Sequence, residues 1–182
     1  LDVGPLLRGE IGKMDIDYMG YTLEELKDIN QNREAVIDKL VDFALNDVLL
    51  FWSTDKKVQQ EQEKKWSPIL AWANKIVNGE FRRTTAIDIY PENQDTSLKL
   101  RNYLSSLSEK ELSGFYIATL NMRSVLLALA LVKGRITAEQ AFELAELEEL
   151  YQANKWGSEP VAEARRNSIK ETLKEVEQYL CK

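Results

Sequence analysis

Ser108-Glu-Lys-Glu-Leu-Ser-Gly-Phe-Tyr-Ile-Ala-Thr-Leu-Asn-Met-Arg-Ser-Val-Leu-Leu-Ala-Leu-Ala-Leu-Val-Lys-Gly134 decides the fold. It opens on a capping box: the Ser108 hydroxyl can take an orphan amide while Glu111 reaches back to the cap. Leu112, Phe115, Ile117, Leu120, Val125, Leu126, Leu127 and 129–132 then place apolar groups nearly all round its C-terminal half. A helix that is apolar all round is a buried one. Lys133-Gly134 supplies a cation near the negative helix end and a glycine just past it. The spacing therefore predicts one central helix over about 109–132, with other helices packed around it.

The flanks repeat this grammar. Thr22-Leu-Glu-Glu25 is a capping box opening an apolar stripe at Leu23, Leu26 and Ile29, and 33–46 is a second helix or an extension of the first. Asp47–Ser53 is a short apolar run that suits either a buried strand or a buried helical turn. Thr54 or Asp55 caps a charged helix over 55–65. Ser67-Pro68 reads as a restart, since proline at a first helical position loses no needed amide. The apolar face Ile69, Leu70, Trp72, Ala73 and Ile76 follows, up to Asn78-Gly79. Residues 80–90, rich in Thr and Ile and stopped by Pro91, read as an edge strand or a strap. A helix over about 95–106 precedes the central one. Thr137-Ala-Glu-Gln140 opens a helix running to Trp156, and Ser158-Glu-Pro160 caps a last one over about 159–180. The fold class is all-α, a multi-helix domain with one or two short extended segments. Residues 1–20, broken by Gly4, Pro5, Gly9, Gly12 and Gly20, form an irregular lead-in, and 21–182 the helical domain.

Composition narrows the function. The chain has 182 residues, 44% hydrophobic and 30% charged, a globular balance, and only 8 Gly and 4 Pro, few for a turn-rich β fold. Its net charge of −6 argues against a sequence-independent nucleic-acid surface. There is no histidine, hence no imidazole base or ligand. The single cysteine, Cys181, can form neither an internal disulfide nor a thiolate cluster. No metal site, cofactor or small-molecule substrate is expected, and no phosphate loop or nucleophile elbow is present. The longest apolar run, 125–132, is far short of the roughly 20 residues that span a bilayer. The chain reads as no enzyme.

One segment stands apart: Leu147-Glu-Glu-Leu-Tyr-Gln-Ala-Asn-Lys-Trp-Gly157. On a single helix over 138–156, Ala138, Ala141, Phe142, Ala145 and Trp156 share an arc of about 100°. Glu148, Glu149 and Gln152 fall inside it, while Glu143 and Glu146 point away, where charge is expected. Leu147 and Leu150 make the opposite side apolar too, so the wheel leaves the buried face open. A dry carboxylate needs a partner, because its desolvation costs several kcal/mol. Three readings follow: internal pairing with a base such as Arg123 or Arg135, a groove for another protein, or a catalytic carboxylate. Trp52, Trp66, Trp72 and Trp156 read as core anchors.

Three motifs in order, Trp66-Ser-Pro-Ile-Leu-Ala-Trp72, Gly134-Arg-Ile-Thr-Ala-Glu-Gln-Ala141 and the 147–157 segment, resemble the Atp-twelve family, also called ATP synthase assembly factor two. Asn46-Asp-Val-Leu-Leu-Phe-Trp52 looks like its apolar stretch before the first tryptophan motif, and Met19-Gly-Tyr-Thr22 like a variant of its Met-Pro-Leu-Thr. The match runs from about residue 16 to about 160. Ser67 stands where the family usually has Asp, and Gly20 where it usually has Pro. The family carries an N-terminal β-rich domain; here about 20 residues precede the match, a candidate remnant of it. The resemblance implies an assembly chaperone, without catalysis, that holds the unassembled alpha subunit of the ATP synthase head until it meets the beta subunit. The compartment implied is the mitochondrial matrix, or the cytoplasm of an alphaproteobacterium. Carried over by motif, Glu148, Glu149 and Gln152 contact the client and Trp156-Gly157 fix the helix end that presents them. Trp66, Pro68 and Trp72 are structural. A divergent scaffold subunit fixed in a larger complex is the alternative.

Overall fold

The computed structural model describes residues 32–84 and 94–181. The lead-in, the Thr22 capping box, its helix and residues 85–93 lie outside the described residues. Eight α-helices are described: α1 Arg33–Ala44, α2 Lys56–Val77, α3 Gln94–Ser105, α4 Glu109–Met122, α5 Val125–Val132, α6 Ala138–Ala145, α7 Leu147–Trp156 and α8 Pro160–Cys181. The all-α expectation holds.

Helices α4 and α5 pack on each other at the centre; α1, α2, α6 and α8 surround them, and α3 lies across α1 and α2. Every residue of 112–122 and of 125–131 is buried. The α4 capping box forms as expected: Glu111 N donates to Ser108 Oγ at 3.1 Å and Ser108 N to Glu111 Oε1 at 3.3 Å. Gly114 lets α8 approach closely, since a Cβ there would stand 3.0 Å from Leu180 Cδ2.

The central helix is two helices. Arg123 adopts a left-handed conformation, φ 55° and ψ 32°, and Ser124 begins α5 as its cap. The reason lies far away in sequence. Asp47 is fully buried; its carboxylate accepts from Leu126 N at 2.9 Å, Ser124 Oγ at 2.7 Å and Leu49 N at 2.9 Å. Val48 N donates to Arg123 O at 3.3 Å. These bonds satisfy the helix ends that the break exposes, so it costs little. Burial pushes the Asp47 carboxyl up to about 6, against the donors from Leu126, Ser124 and Leu49 that hold it down.

Of the two forms expected for Asp47–Ser53, the buried helical turn is the one that occurs. Val48–Leu50 is a single 3-10 turn, and Phe51 then makes an isolated parallel bridge with Thr84. Trp52 N donates to Thr84 O at 2.9 Å and Thr84 N to Leu50 O at 2.7 Å. The expected strap is thus present as far as Thr84. The Asn74 side chain holds its start like a neighbouring strand, bonding Phe81 N at 2.7 Å and Phe81 O at 2.9 Å.

The restart expected at Ser67-Pro68 is overruled. α2 runs unbroken through Pro68 from its Asp55 cap. Its buried stripe, Val58, Gln62, Trp66, Ile69, Ala73 and Val77, keeps helical phase across that position. Pro68 is exposed, so the carbonyl of Lys64 that loses its amide faces the solvent side. Trp52 and Trp66 meet edge to face, with centroids 6.3 Å apart, and Trp72 packs half-buried against the core. No described helix is long and apolar enough to cross a membrane.

Candidate functional site

The helix expected over 137–156 is also divided. The Thr137–Gln140 capping box opens α6 as expected, with Gln140 N on Thr137 Oγ1 at 3.2 Å and Thr137 N on Gln140 Oε1 at 2.9 Å. At Glu146, φ −102° and ψ 17° leave the helical range, and α7 begins afresh. Trp66 fixes the approach to this joint: its indole N–H donates to Leu144 O at 2.9 Å. The single wheel therefore fails. Glu146, expected on the solvent side, is 2% exposed, and Trp156, expected with Ala138, Ala141 and Phe142 in the core, is 78% exposed. Its ring lies under the Lys155 ammonium, 5.3 Å from the centroid.

The joint carries the charge. Arg165 of α8 reaches across to α7 and donates from Nη2 to Glu146 Oε2 at 2.9 Å and from Nη1 to Glu146 Oε1 at 3.4 Å. Its Nη2 also bonds Glu149 Oε2. Arg123, at the left-handed break between α4 and α5, adds Glu149 Oε1 at 3.5 Å. Burial, then the adjoining Glu149 carboxyl, pushes Glu146 up to about 7; Arg165 opposes both. Glu149 is held below the usual carboxylate range, first by its hydrogen bond with Glu146 and then by Arg165 and Arg123. The two carboxyls titrate as a pair under the Arg165 guanidinium, with the proton favoured on the buried Glu146 and the charge on the exposed Glu149. Internal pairing is thus realised for Glu149, with Arg123 as expected and with Arg165, which the wheel missed.

A groove of about 420 Å³ opens beside this network, between α7 and the start of α8. Glu149, Gln152, Trp156 and Gly157 all line it, together with Arg165 and Arg166. Four of the five residues singled out in the 147–157 segment therefore meet in one place. Glu148, half-buried, does not line the groove. Glu146, Arg165 and Arg166 escaped the sequence reading. The local signal was the Arg165-Arg166 pair in α8, but nothing in the chain pattern says which helix it faces.

Gly157 shapes the groove's end. Its φ of 84° and ψ of 171° lie in a region open essentially to glycine alone. A Cβ there would meet nothing within 4 Å. Gly157→Ala is therefore expected to cost about 1–3 kcal/mol from backbone strain alone, measured by urea unfolding. A cost within ~0.3 kcal/mol of zero would mean that the turn relaxes freely. Past it, Pro160 takes the first position of α8, while the Ser158 hydroxyl, expected to cap, instead accepts from Arg166 Nη2. No group of three or more His, Cys, Asp or Glu able to hold a metal ion occurs among the described residues.

Comparison with known proteins shows what the chain is similar to. The fold is that of the solved Atp12 chaperones: the crystal structure of Atp12 from Paracoccus denitrificans superposes with a TM-score of 0.81 at 25% identity, over 92% of this chain and 72% of that one. Agrobacterium tumefaciens Atu1473 shares the fold with a TM-score of 0.75 at 24% identity, over 87% of this chain and 61% of that one. The family model for ATP12 chaperone protein matches residues 13–74, and the mitochondrial protein atp12 of Schizosaccharomyces pombe is 28% identical over 139 residues, 70% of this chain. The chain is thus similar to the ATP12 chaperone proteins, in sequence over residues 13–74 and in fold over most of its length. It spans 46% of the length of that yeast relative.

Proposed function

We propose that this chain is an assembly chaperone that holds the unassembled alpha subunit of an F-type ATP synthase head and releases it when the beta subunit arrives. Similarity to the ATP12 chaperones in sequence and in fold supports the chaperone class. The observation that carries the binding site is the groove at the end of α7, where an exposed indole, Trp156, stands beside Glu149 and Gln152. An aromatic anchor next to charge pre-ordered by Arg165 and Arg123 is the pattern of a protein-binding surface. Nucleotide hydrolysis has no part in the mechanism. Binding covers the client's sticky surface, and the beta subunit displaces the chaperone by competing for it. The mitochondrial name of the yeast relative and the bacterial source of the solved structure are consistent with a matrix protein or with its bacterial counterpart.

Purified alpha subunit, diluted from denaturant, supplies the test. The chain at about equimolar concentration should suppress its light scattering without ATP, and added beta subunit should release it. Glu148→Lys with Glu149→Lys should weaken capture by about tenfold or more, the loss expected from reversing charge at an interface, with the circular dichroism spectrum unchanged. Full capture by the folded double variant would move the client site elsewhere. Retention of the chain at fixed stoichiometry in the mature complex would make it a scaffold subunit instead.

A further inference from the structure

Helix α7 has a second groove on its other flank, about 500 Å³ in volume. Phe142 forms part of its apolar wall, and Asn154, Asn167 and Lys170 supply polar groups. Arg166 stands between the two grooves and lines both. It is 9% exposed, yet among the described residues its guanidinium meets no carboxylate; the bond it makes is to the neutral Ser158 hydroxyl. A guanidinium has five donors, and a buried charge without a counter-charge is costly. Glu163 is the one carboxylate lining the groove, and it is exposed. Lys170 adds a second cation; its ammonium lies 5.7 Å from the Phe142 ring centroid and 3.8 Å from the exposed Glu139 carboxylate. Within its lining the groove of this chain of net charge −6 thus carries two cations, Arg166 and Lys170, and one carboxylate, with Glu139 at the edge beside Lys170.

We infer that this second groove takes an acidic side chain, Asp or Glu, from an extended segment of a partner protein. Arg166 grips the carboxylate, for which its planar fork is suited. Lys170 adds charge, Asn154 and Asn167 pair with the segment's backbone amides and carbonyls, and Phe142 meets an apolar neighbour. The inference rests on the client reading only for the ownership of the segment. On that reading the client straddles α7, with Glu149 and Trp156 on one side and Arg166 on the other.

The test uses the full chain, labelled with nitrogen-15, and three probes: the peptide acetyl-Gly-Leu-Ala-Glu-Ala-Leu-Gly-amide, its Gln counterpart, and sodium acetate. The Glu peptide should give saturable shifts of the Asn154 and Asn167 side-chain amides and of Arg166 Nε–H. The Gln peptide should bind at least about tenfold more weakly, as loss of a charge-assisted contact implies. Arg166→Gln should abolish the difference. Should that variant misfold, Lys170→Glu at the half-buried edge should weaken the Glu peptide by a similar factor. Equal titration by both peptides, shifts confined to Gln152 and Trp156, or no saturable shift at about millimolar peptide would overturn the assignment. Acetate binding as tightly as the peptide would reduce it to a free-anion site and overturn the peptide part. The two readings fail separately. Capture of the alpha subunit without peptide discrimination removes this inference alone; discrimination without capture removes the proposed client.

Discussion

Trp66→Ala should be the most damaging single truncation in the described core, at about 3–5 kcal/mol. The side chain is 2% exposed, meets Trp52 edge to face and donates to Leu144 O. Truncation removes the packing, opens a cavity and leaves the Leu144 carbonyl without its indole partner. For a domain of this size the loss corresponds to a melting-temperature drop of about 6–20 °C, at ~2–4 °C per kcal/mol. Trp66→Phe separates the contributions: it keeps most of the apolar contact and forfeits the hydrogen bond, so about 1–3 kcal/mol is expected. The second readout is local. Leu144 lies two residues before the Glu146 joint, so loosening it should raise amide exchange in α7 more than in α3. Calorimetry with hydrogen exchange checks both; a uniform rise across the helices would deny Trp66 any special hold on the joint.

Asp47 should govern a large pH effect. Its carboxyl stands at about 6 in the folded chain against an ordinary value of 3.8. The folded state therefore binds this proton more tightly than the unfolded state does. The resulting stabilisation is full below the ordinary value and is lost as pH rises through about 6. The size is about 3 kcal/mol, from ~1.4 kcal/mol per tenfold change in proton affinity. Glu146, also shifted up, acts in the same direction, and Glu149, shifted down, in the opposite one, so the whole-protein curve mixes the effects. Asp47→Asn isolates that of Asp47. The wild type should gain about 2–3 kcal/mol over the variant as pH falls from 7 to 4, measured by urea unfolding at each pH. At neutral pH the variant itself loses one acceptor and should cost about 1–3 kcal/mol. A pH-independent difference would mean that Asp47 titrates normally.

The local rules carried most of the architecture. The Ser108 and Thr137 capping boxes, the Asp55 cap and the all-round apolar character of 112–131 are properties of a few adjacent residues, and each appears where expected. The two breaks were invisible for the opposite reason. Arg123 and Glu146 are not helix-stopping residues; Asp47 stabilises the first break from another part of the chain, and Arg165 binds Glu146 at the second. Pro68 errs the other way: a strong local stop signal yields to a buried stripe that continues through it. The candidate site divides along the same line. Glu149, Gln152, Trp156 and Gly157 lie within nine residues of one another, so the segment announced itself. The Glu146–Arg165 clamp joins two helices, and the error at Glu146 follows from extending one wheel across a joint.

The long-distance cap at Asp47 has a consequence for the route to this structure. The bonds to Ser124 and Leu126 join positions 77 and 79 residues apart. That closure must precede them and carries an entropic cost that local caps avoid. Helices whose starts are closed by local caps alone, α2 and α4, need no such closure, whereas α5 adds the distant Asp47 bonds to its own Ser124 cap. The start of α5 becomes complete only when the 47–50 turn arrives. The Leu126 amide should therefore exchange with solvent only through global opening, and core assembly should finish at this seam.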